Sequence, residues 1–270
     1  MRCVLAIAGS DSSGGAGIQA DLRAISAHGL HGLSVITAVT AQNSRVVEAI
    51  HRVPARHLLA QLQAVFADFE VAAVKIGMLG GTAAISAVAD CLREAGARNI
   101  VLDPVLVSSS GTPLLPASGL RKLRGGLIPI VDLLTPNLPE AEALLGRRLN
   151  SDRDMRRAAD DLIALGARAV LLKGGHRRGS TVVDHLVDHE SATSFSHPRL
   201  SGSVRGTGCT LASAIACGLA LGLPLRAAVH GAEQFLQREM RRAGQTGHGR
   251  MRAMNPLQAH PRPAGTHGKR

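Results

Sequence analysis

The sequence contains no tryptophan, no tyrosine and only four phenylalanines among its 270 residues. Single-stranded nucleic acids bind proteins largely by stacking bases on aromatic side chains, so the composition argues against such a binding platform. No apolar run reaches the length of a membrane span, and residues 1–9 are too short and too soon interrupted for a signal peptide. We therefore expect a soluble, cytoplasmic protein.

The four cysteines are too widely spaced to suggest a metal site or a disulfide framework. Cys3, Cys91, Cys209 and Cys217 form no CxxC pair. Zinc sites and small disulfide-bonded domains require closer or more regular spacing, so neither is predicted. Reduced thiols agree with the expected cytoplasmic location.

The formal net charge of +11 is concentrated at the carboxyl end. From Arg238 onward, eight basic residues face one acidic residue, a net +7, which leaves +4 for residues 1–237. Residues 244–270 are rich in Gly, Pro, His and Arg and lack apolar periodicity, which is typical of a disordered segment. We predict one folded domain over residues 1–243, followed by a disordered basic tail with no specific nucleic-acid partner.

Apolar runs alternate with amphipathic stretches along the chain, as in repeated βα units. Predicted strands cover residues 4–8, 34–40, 72–76, 100–102, 131–134 and 169–172, with a hairpin over 181–195. Predicted helices cover residues 17–27, 55–67, 82–95, 117–124, 139–145, 153–165, 209–221 and 225–241. This pattern indicates an α/β fold with a central, mostly parallel sheet and helices on both faces.

Polar or glycine-containing motifs follow the predicted strands. Parallel sheets bind ligands at the carboxyl ends of their strands, so these motifs are expected to share one site. They begin at Gly9, Gln42, Gly77, Asp103, Pro136 and Lys173. A further motif, Gly-Thr-Gly-Cys at residues 206–209, opens a predicted helix. The sequence therefore predicts a single active site, with Met78, which follows Gly77, in its substrate pocket.

The motif at residues 206–209 has the features of an anion hole. Gly206, Thr207 and Gly208 allow close backbone approach, and free N–H groups at a helix start attract a transferring phosphoryl group. A thiol at a helix start is expected to have a lowered pKa, so Cys209 could accept the proton of a substrate hydroxyl or only orient that hydroxyl. A glycine-rich helix cap with a small buried cysteine is the simpler alternative.

Residues 135–140 (Thr-Pro-Asn-Leu-Pro-Glu) suggest a second phosphate-handling corner. Asn137 and Glu140 lie three residues apart, and with Asp103 they could organise the water shell of Mg²⁺, with Asn137 beside the nucleotide. The alternative for Asn137 and Glu140 is a helix capping box, and both roles can coexist. Lys173 ends a predicted strand, where its charge would meet nucleotide phosphates unless it is simply solvated.

The amino-terminal glycine-rich segment is assigned to the acceptor substrate. Residues 9–17 lack the Gly-Lys-Ser/Thr ending of a Walker loop and the GxGxxG spacing. Small residues such as Gly9 and Ala16 would let a flat ring lie against the backbone, with Asp11 and Asp21 nearby. The Gln42 amide offers a donor and an acceptor in one plane, matching an aminopyrimidine edge, unless it is an ordinary loop residue.

Taken in order, these motifs resemble the hydroxymethylpyrimidine/phosphomethylpyrimidine kinases of thiamine biosynthesis. The matching segments are AGSDSSGGAGIQAD at 8–21, TAQN at 40–43, VKIGML at 74–79, LDPV at 102–105, TPNLPEAE at 135–142, KGGH at 173–176 and GTGCT at 206–210. The resemblance extends from about residue 4 to residue 240.

The resemblance implies a ribokinase-like fold, ATP, Mg²⁺, a homodimer and two successive phosphorylations of the pyrimidine. It places Gln42 against the pyrimidine and Val107, with residues 9–16, around it. Cys209 would take the position that a catalytic aspartate holds in sugar kinases of this fold.

Two segments depart from the family pattern. Val204 and Arg205 stand where a threonine and a histidine are usual, which would add a cation beside the anion hole. Residues 108–112 (Ser-Ser-Ser-Gly-Thr) lack the usual cation and acid. A single-step kinase, a pyridoxal kinase and a non-catalytic pyrimidine sensor are the alternatives. The sensor is disfavoured by the retained phosphoryl-transfer residues.

Overall fold

The computed structural model describes residues 1–108, 111–175, 179–249 and 251–257. Its centre is a nine-stranded sheet with the strand order β3-β2-β1-β4-β5-β6-β7-β8-β9. The strands are β1 (Cys3–Asp11), β2 (His31–Gln42), β3 (Val47–Arg52), β4 (Val71–Ile76), β5 (Ile100–Leu102), β6 (Leu133–Leu134), β7 (Ala169–Leu172), β8 (Thr181–Asp188) and β9 (Ala192–Pro198). The predicted central strands are confirmed, with shifted bounds.

Helices cover both faces of this sheet. They are α1 (Gly17–Ala27), α2 (Ala55–Asp68), α3 (Thr82–Glu94), α4 (Ala117–Lys122), α5 (Leu138–Leu145), α6 (Asp152–Ile163), α7 (Thr207–Ala220) and α8 (Leu225–Arg242). After α4, the chain continues as a π-helical turn, Leu123–Leu127, and a 3₁₀ turn, Ile128–Ile130. None of the helices in the described residues is long and apolar enough to span a membrane.

Strand β1 shows why the sheet is buried on both faces. Leu5 and Ile7 pack into a core with α2, α3 and α6, whereas Val4 and Ala6 face α1, α7 and α8. All four side chains are fully buried. A strand covered on both sides needs apolar residues at every position, which explains the continuous apolar run in the sequence.

The two ends of the sheet are antiparallel, although its centre is parallel. Strand β3 pairs antiparallel with β2, and β8 pairs antiparallel with both β7 and β9. The hairpin predicted over residues 181–195 is confirmed as β8 and β9. Strand β3 was missed because an edge strand with the sequence VEAIHR carries mostly exposed polar side chains.

The segment after α8 forms strands in part of the stretch that was predicted to be disordered, within residues 244–249 and 251–257. Strands β11 (Gly244–Gln245) and β12 (Arg252–Ala253) form a small second sheet with β10 (Val204–Arg205). Met254 is buried, and the Gly249 N–H donates to the Ser44 hydroxyl. Strands of two residues are too short to show a periodic pattern in the sequence. Residues 250 and 258–270 lie outside the described part.

Candidate active site

A cavity of about 560 Å³ opens at the carboxyl ends of the parallel strands. Every site residue predicted from the sequence lines it except Asp21. The lining members of that set are Gly9, Asp11, Ala16, Gln42, Met78, Asp103, Val107, Asn137, Glu140, Lys173, Gly206, Thr207, Gly208 and Cys209. One cavity therefore holds both the predicted acceptor end and the predicted phosphate end.

The acceptor end is formed by glycine and by apolar side chains. A Cβ on Gly9 would lie 3.0 Å from the Met78 sulfur, so Met78 can pack over this position only because the side chain is absent. Val107, half exposed, stands on a loop closed by a bridge to Pro113. The Gln42 backbone N–H donates to the Ser12 hydroxyl, and the Ser12 hydroxyl donates back to the Gln42 carbonyl. These two bonds tie the Gln42 loop to the glycine-rich turn.

Asp11 lines the cavity, but its carboxylate is occupied by the protein itself. Its oxygens accept hydrogen bonds from the Ser13 N–H, the Ser13 hydroxyl and the Ala16 N–H at 2.7–2.9 Å. The side chain is almost fully buried. Asp11 therefore shapes the turn on which a substrate would lie, and it offers little free capacity for a direct contact.

The sequence analysis expected Arg205 to add a cation beside the anion hole, but the structure places its guanidinium elsewhere. Its guanidinium is buried and donates to the Asn43 carbonyl and to the Asp11 carboxylate. Val204 lines the cavity instead. Arg205 thus links β10 to the turn at Asp11 and to the loop after β2, and the departure from the family pattern acts on loop structure.

The structure corrects the predicted position of Asp21. This residue is absent from the cavity wall and fully buried in α1. Nζ of Lys75 lies 2.7 and 2.8 Å from its two carboxylate oxygens, and the Ser213 hydroxyl donates to one of them. Asp21 therefore belongs to a sealed ion pair beneath the site.

The anion hole forms where α7 begins against the amino-terminal loop. Gly206 has φ +72°, and a Cβ there would lie 2.2 Å from the Gly15 carbonyl oxygen. Glycine favours this left-handed conformation and permits the close approach, and residues 206–209 line the cavity at the start of α7. No side chain caps this helix start. The positive end of α7 is thus available to an anion.

Cys209 lies in the first turn of α7 and lines the cavity. Burial is the strongest influence on its thiol and raises its pKa to about 11, although Lys75 acts to lower it. The lowered pKa expected from the helix start is therefore wrong, because desolvation outweighs the favourable charges. At neutral pH the side chain is a thiol, which can donate to or accept from a hydroxyl.

Lys173 and Asp103 form an ion pair beside the anion hole. Nζ of Lys173 lies 2.8 Å from Asp103 Oδ1. A Cβ on Gly208 would lie 3.1 Å from Asp103 Oδ2 and 3.4 Å from that Nζ, so the glycine lets the helix start approach the pair. Burial disfavours the ammonium, but Asp103 and Glu140 outweigh it and raise the pKa of Lys173. A fixed positive charge therefore faces the cavity.

Asn137 and Glu140 form the capping box considered from the sequence. The Asn137 side chain accepts from the Glu140 N–H, and Glu140 Oε2 accepts from the Asn137 N–H at 2.8 Å. Burial, opposed by Lys173 and reinforced by Asp103, raises the pKa of Glu140 to about 7. Glu140 and Asp103 are thus two buried carboxyl groups that repel each other.

This pair of carboxyl groups fits a hydrated Mg²⁺. Mg²⁺ is usually held by one or two carboxylates, with water and substrate phosphates completing its shell. A divalent cation would also relieve the repulsion that raises the pKa of Glu140. Within the described residues, no group of three or more His, Cys, Asp or Glu side chains could hold a metal by itself. The two carboxyl groups therefore suit a metal ion that enters the site bound to a nucleotide.

The sequence analysis assigned no role to three residues of the site region, Met251, Ser203 and Lys75. Met251, from the segment after α8, lines the cavity together with Ser203 of the loop before β10. Lys75 lies within β4 between apolar neighbours and was quoted only as part of a motif. A buried lysine inside an apolar strand is itself unusual, and this was the available signal. His176 and Ser109, noted in the sequence motifs, lie outside the described residues.

Comparisons with known proteins agree with this geometry. The family model described as phosphomethylpyrimidine kinase matches residues 11–254. This chain belongs to that family. It is 47% identical over 234 residues to the hydroxymethylpyrimidine/phosphomethylpyrimidine kinase of Rhizobium meliloti, covering 86% of this chain and 88% of that protein. It is also 47% identical over 247 residues to a bifunctional thiamine biosynthesis protein of Geobacter sulfurreducens, covering 91% of this chain and spanning half of that protein's length.

Solved structures of two kinases share the fold. The phosphomethylpyrimidine kinase of Clostridium difficile is 40% identical, with a TM-score of 0.80 over 89% of this chain and 100% of its own. The pyridoxal kinase of Bacillus subtilis, solved with ADP, is 31% identical, with a TM-score of 0.87 over 94% of this chain and 97% of its own. The ribokinase-like α/β fold and the resemblance to phosphomethylpyrimidine kinases are confirmed.

Proposed function

We propose that this protein transfers the γ-phosphate of ATP to the hydroxymethyl group of 4-amino-5-hydroxymethyl-2-methylpyrimidine, and then to the resulting monophosphate. One observation carries the proposal: the anion hole of α7, the Lys173–Asp103 pair and the Gln42 loop line a single cavity. The names of the relatives support the substrate, since they describe kinases of hydroxymethylpyrimidine and of its phosphate. The pathway served would be thiamine biosynthesis, as in the bifunctional relative.

The nucleotide would lie with its phosphates between Lys173 and the start of α7. Phosphoryl transfer requires charge neutralisation around the γ-phosphate more than covalent help from the protein. The Lys173 ammonium and the N–H groups from Thr207 onward would supply fixed positive charge there, and Asn137 would border the nucleotide. Mg²⁺, held by Asp103 and Glu140 through water, would neutralise phosphate charge when bound.

The pyrimidine would lie at the other end, between the glycine-rich turn and Met78. Gly9, Ala16 and Val107 would line its faces, and the Gln42 amide would pair with the amino group and the ring nitrogen beside it. The hydroxymethyl oxygen would then point toward Cys209. In the first step this oxygen bonds to the γ-phosphorus, the bond to ADP breaks, and the hydroxyl proton leaves through Cys209 or water.

A pyridoxal kinase is the second candidate, favoured by the likeness to the Bacillus subtilis enzyme. Its substrate also presents a hydroxymethyl group on a flat ring. The two functions separate when the protein is incubated with ATP, Mg²⁺ and either compound and the product masses are recorded. We expect the pyrimidine to gain one phosphate and then a second. Phosphorylation of pyridoxal alone would overturn the proposal, and arrest at the monophosphate would limit it to one step.

Cys209 offers a test of the chemistry. Handling a proton in the transition state is worth about 10²–10⁴ in rate, so Cys209→Ala should lower kcat by that order and leave ATP binding nearly unchanged. Cys209→Ser is the matched variant, because it keeps a donor and acceptor at the same place. Near-complete rescue by serine would mean that Cys209 orients the hydroxyl, and full activity of the alanine variant would exclude Cys209 from the chemistry.

Cytoplasmic location and a homodimer remain predictions. A homodimer would be tested by sedimentation of the purified chain.

A further inference from the structure

Beneath the cavity lies an ion pair that the proposed chemistry does not use. Lys75 of β4 and Asp21 of α1 are both fully buried, with the Lys75 Nζ bonded to both carboxylate oxygens. Taking two charges out of water is costly, and a buried pair of this kind is often no more stabilising than a well-packed apolar pair. Stability alone is therefore a weak explanation for its presence.

The packing of α1 against α7 brings this pair to Cys209. The backbone N–H of Gly17, in the first turn of α1, acts to lower the pKa of the Cys209 thiol. One turn further along both helices, the Ser213 hydroxyl donates to Asp21 at 2.9 Å. Gly17 and Asp21 are four residues apart in α1, as are Cys209 and Ser213 in α7, so each pair of contacts lies on one helix face.

Lys75 reaches toward the cavity floor from the other side. A Cβ on Gly77 would lie 2.8 Å from the Lys75 Nζ and 3.2 Å from the Ala8 side chain, and Ala8 lines the cavity. The ammonium thus lies close to the backbone at Gly77, beside a residue of the cavity wall. No water-filled path is needed for its charge to act on a group in the cavity, because a buried charge is weakly screened.

The charges around the thiol act in opposite directions. Burial raises the pKa of Cys209, Lys75 lowers it, and Asp21 and Asp103 raise it by smaller amounts. Burial also disfavours the Lys75 ammonium, but Asp21, Cys209 and Asp103 outweigh this and raise the pKa of Lys75. Lys75 therefore stays charged, and it is the largest influence that favours the ionised sulfur.

We propose that Lys75 and Asp21 are positioning residues for Cys209. The Lys75 ammonium favours the thiolate over the thiol, and Asp21 keeps that ammonium charged in a site sealed from water. Ser213 fixes the orientation of Asp21. The pair would thus ease movement of the acceptor proton onto sulfur without touching substrate. This inference rests on the role proposed above for Cys209.

Alkylation of Cys209 by iodoacetamide tests the proposal without substrate, ATP or metal. The reagent attacks the thiolate, so its rate at pH 9 follows the ionised fraction, and modification of Cys209 is followed by peptide mass. In Lys75→Met the rate should fall at least tenfold, as a pKa rise of one unit requires. In the double variant Lys75→Met, Asp21→Leu, an apolar pair replaces the two charges. No unpaired charge is then left buried, so the protein should still fold. Its rate should also fall, because the lost Lys75 effect exceeds the lost Asp21 effect.

A matched control separates charge from loosened packing. Leu62→Ala opens a cavity in the core on the opposite face of the sheet without changing any charge. Its alkylation rate should stay within about twofold of the wild-type rate. The proposal is overturned if the double variant alkylates as fast as the wild type, or if Leu62→Ala slows to the same degree. A fully active Cys209→Ala enzyme would instead refute the proposed role of Cys209, and the alkylation results would stand.

Discussion

Two lysine–aspartate pairs lie beside the amino-terminal half of α7, and they differ in access to the cavity. The Lys75–Asp21 side chains are both 0% exposed, whereas those of Lys173 and Asp103 are 14% and 4% exposed. The N–O distances are nearly equal, 2.7 and 2.8 Å. Two pairs of similar geometry therefore have different surroundings, because one is sealed under the site and the other faces the cavity.

The difference follows from where each lysine lies on its strand. Lys75 is inside β4, one residue before its end, so its side chain points into the layer between the sheet and α1. Lys173 comes directly after β7, where the chain leaves the sheet and the cavity begins. A shift of a few residues along parallel strands thus separates a sealed charge from one that faces the cavity. In a sheet of this kind, position relative to the strand end decides the role.

We expect methionine at position 75 to lower mainly the stability of the protein, and methionine at position 173 to lower mainly its activity. Lys75→Met leaves Asp21 buried without its partner, so the free energy of unfolding should fall by about 3–5 kcal/mol. Lys173→Met leaves Asp103 beside a cavity that water can enter, so that loss should be smaller than the loss in Lys75→Met. The activity of Lys173→Met should nevertheless fall by about 10²–10³ in kcat, as when one stabilising donor is removed from a transition state.

Chemical denaturation and steady-state kinetics on both variants measure these effects. Met is the same replacement at both positions and keeps the length of the aliphatic chain, so each variant is the control for the other. Equal losses of stability would break the comparison, because they would show that Lys173 is as structural as Lys75. Unchanged kcat in Lys173→Met would remove that residue from phosphate binding.

The sequence predicted that Lys173 and Asp103 share the site and missed the burial of Asp21 with Lys75, for a physical reason. Lys173 and Asp103 each end a predicted strand, and the location of ligands at strand ends is a general rule of parallel sheets. Asp21 was assigned to substrate because α1 follows the glycine-rich turn. The direction in which its side chain points depends on Lys75, 54 residues away. Local pattern does not report which helix face meets a distant charge.

The same distinction explains the rest of the fold. Central strands such as β1 and β5 were predicted because burial on both faces leaves a continuous apolar run. The strands β10, β11 and β12 have two residues each, too few to leave a periodic pattern, and β10 reaches its partner β12 across 48 positions. Arg205 was expected to add a cation beside the anion hole for a similar reason, since its partners Asp11 and Asn43 are distant in the sequence.

The smallest expected effect concerns the hydroxyl groups that assist each aspartate. The Ser213 hydroxyl donates to Asp21 at 2.9 Å, whereas the Thr135 hydroxyl lies 3.4 Å from Asp103 Oδ1 and also from the Leu102 carbonyl. Both residues are fully buried. A short hydrogen bond to a charged group is worth about 1.5–3 kcal/mol, and a long hydrogen bond shared between two acceptors is worth much less.

Ser213→Ala should therefore lower the free energy of unfolding by about 1.5–3 kcal/mol, and Thr135→Val by less than about 1 kcal/mol. Urea titrations of the two variants, run side by side at one pH, would compare them directly. If Thr135→Val were the more destabilising change, Asp103 would depend on its hydroxyl partner as Asp21 does, and the pair beside the cavity would be as closed as the pair beneath it.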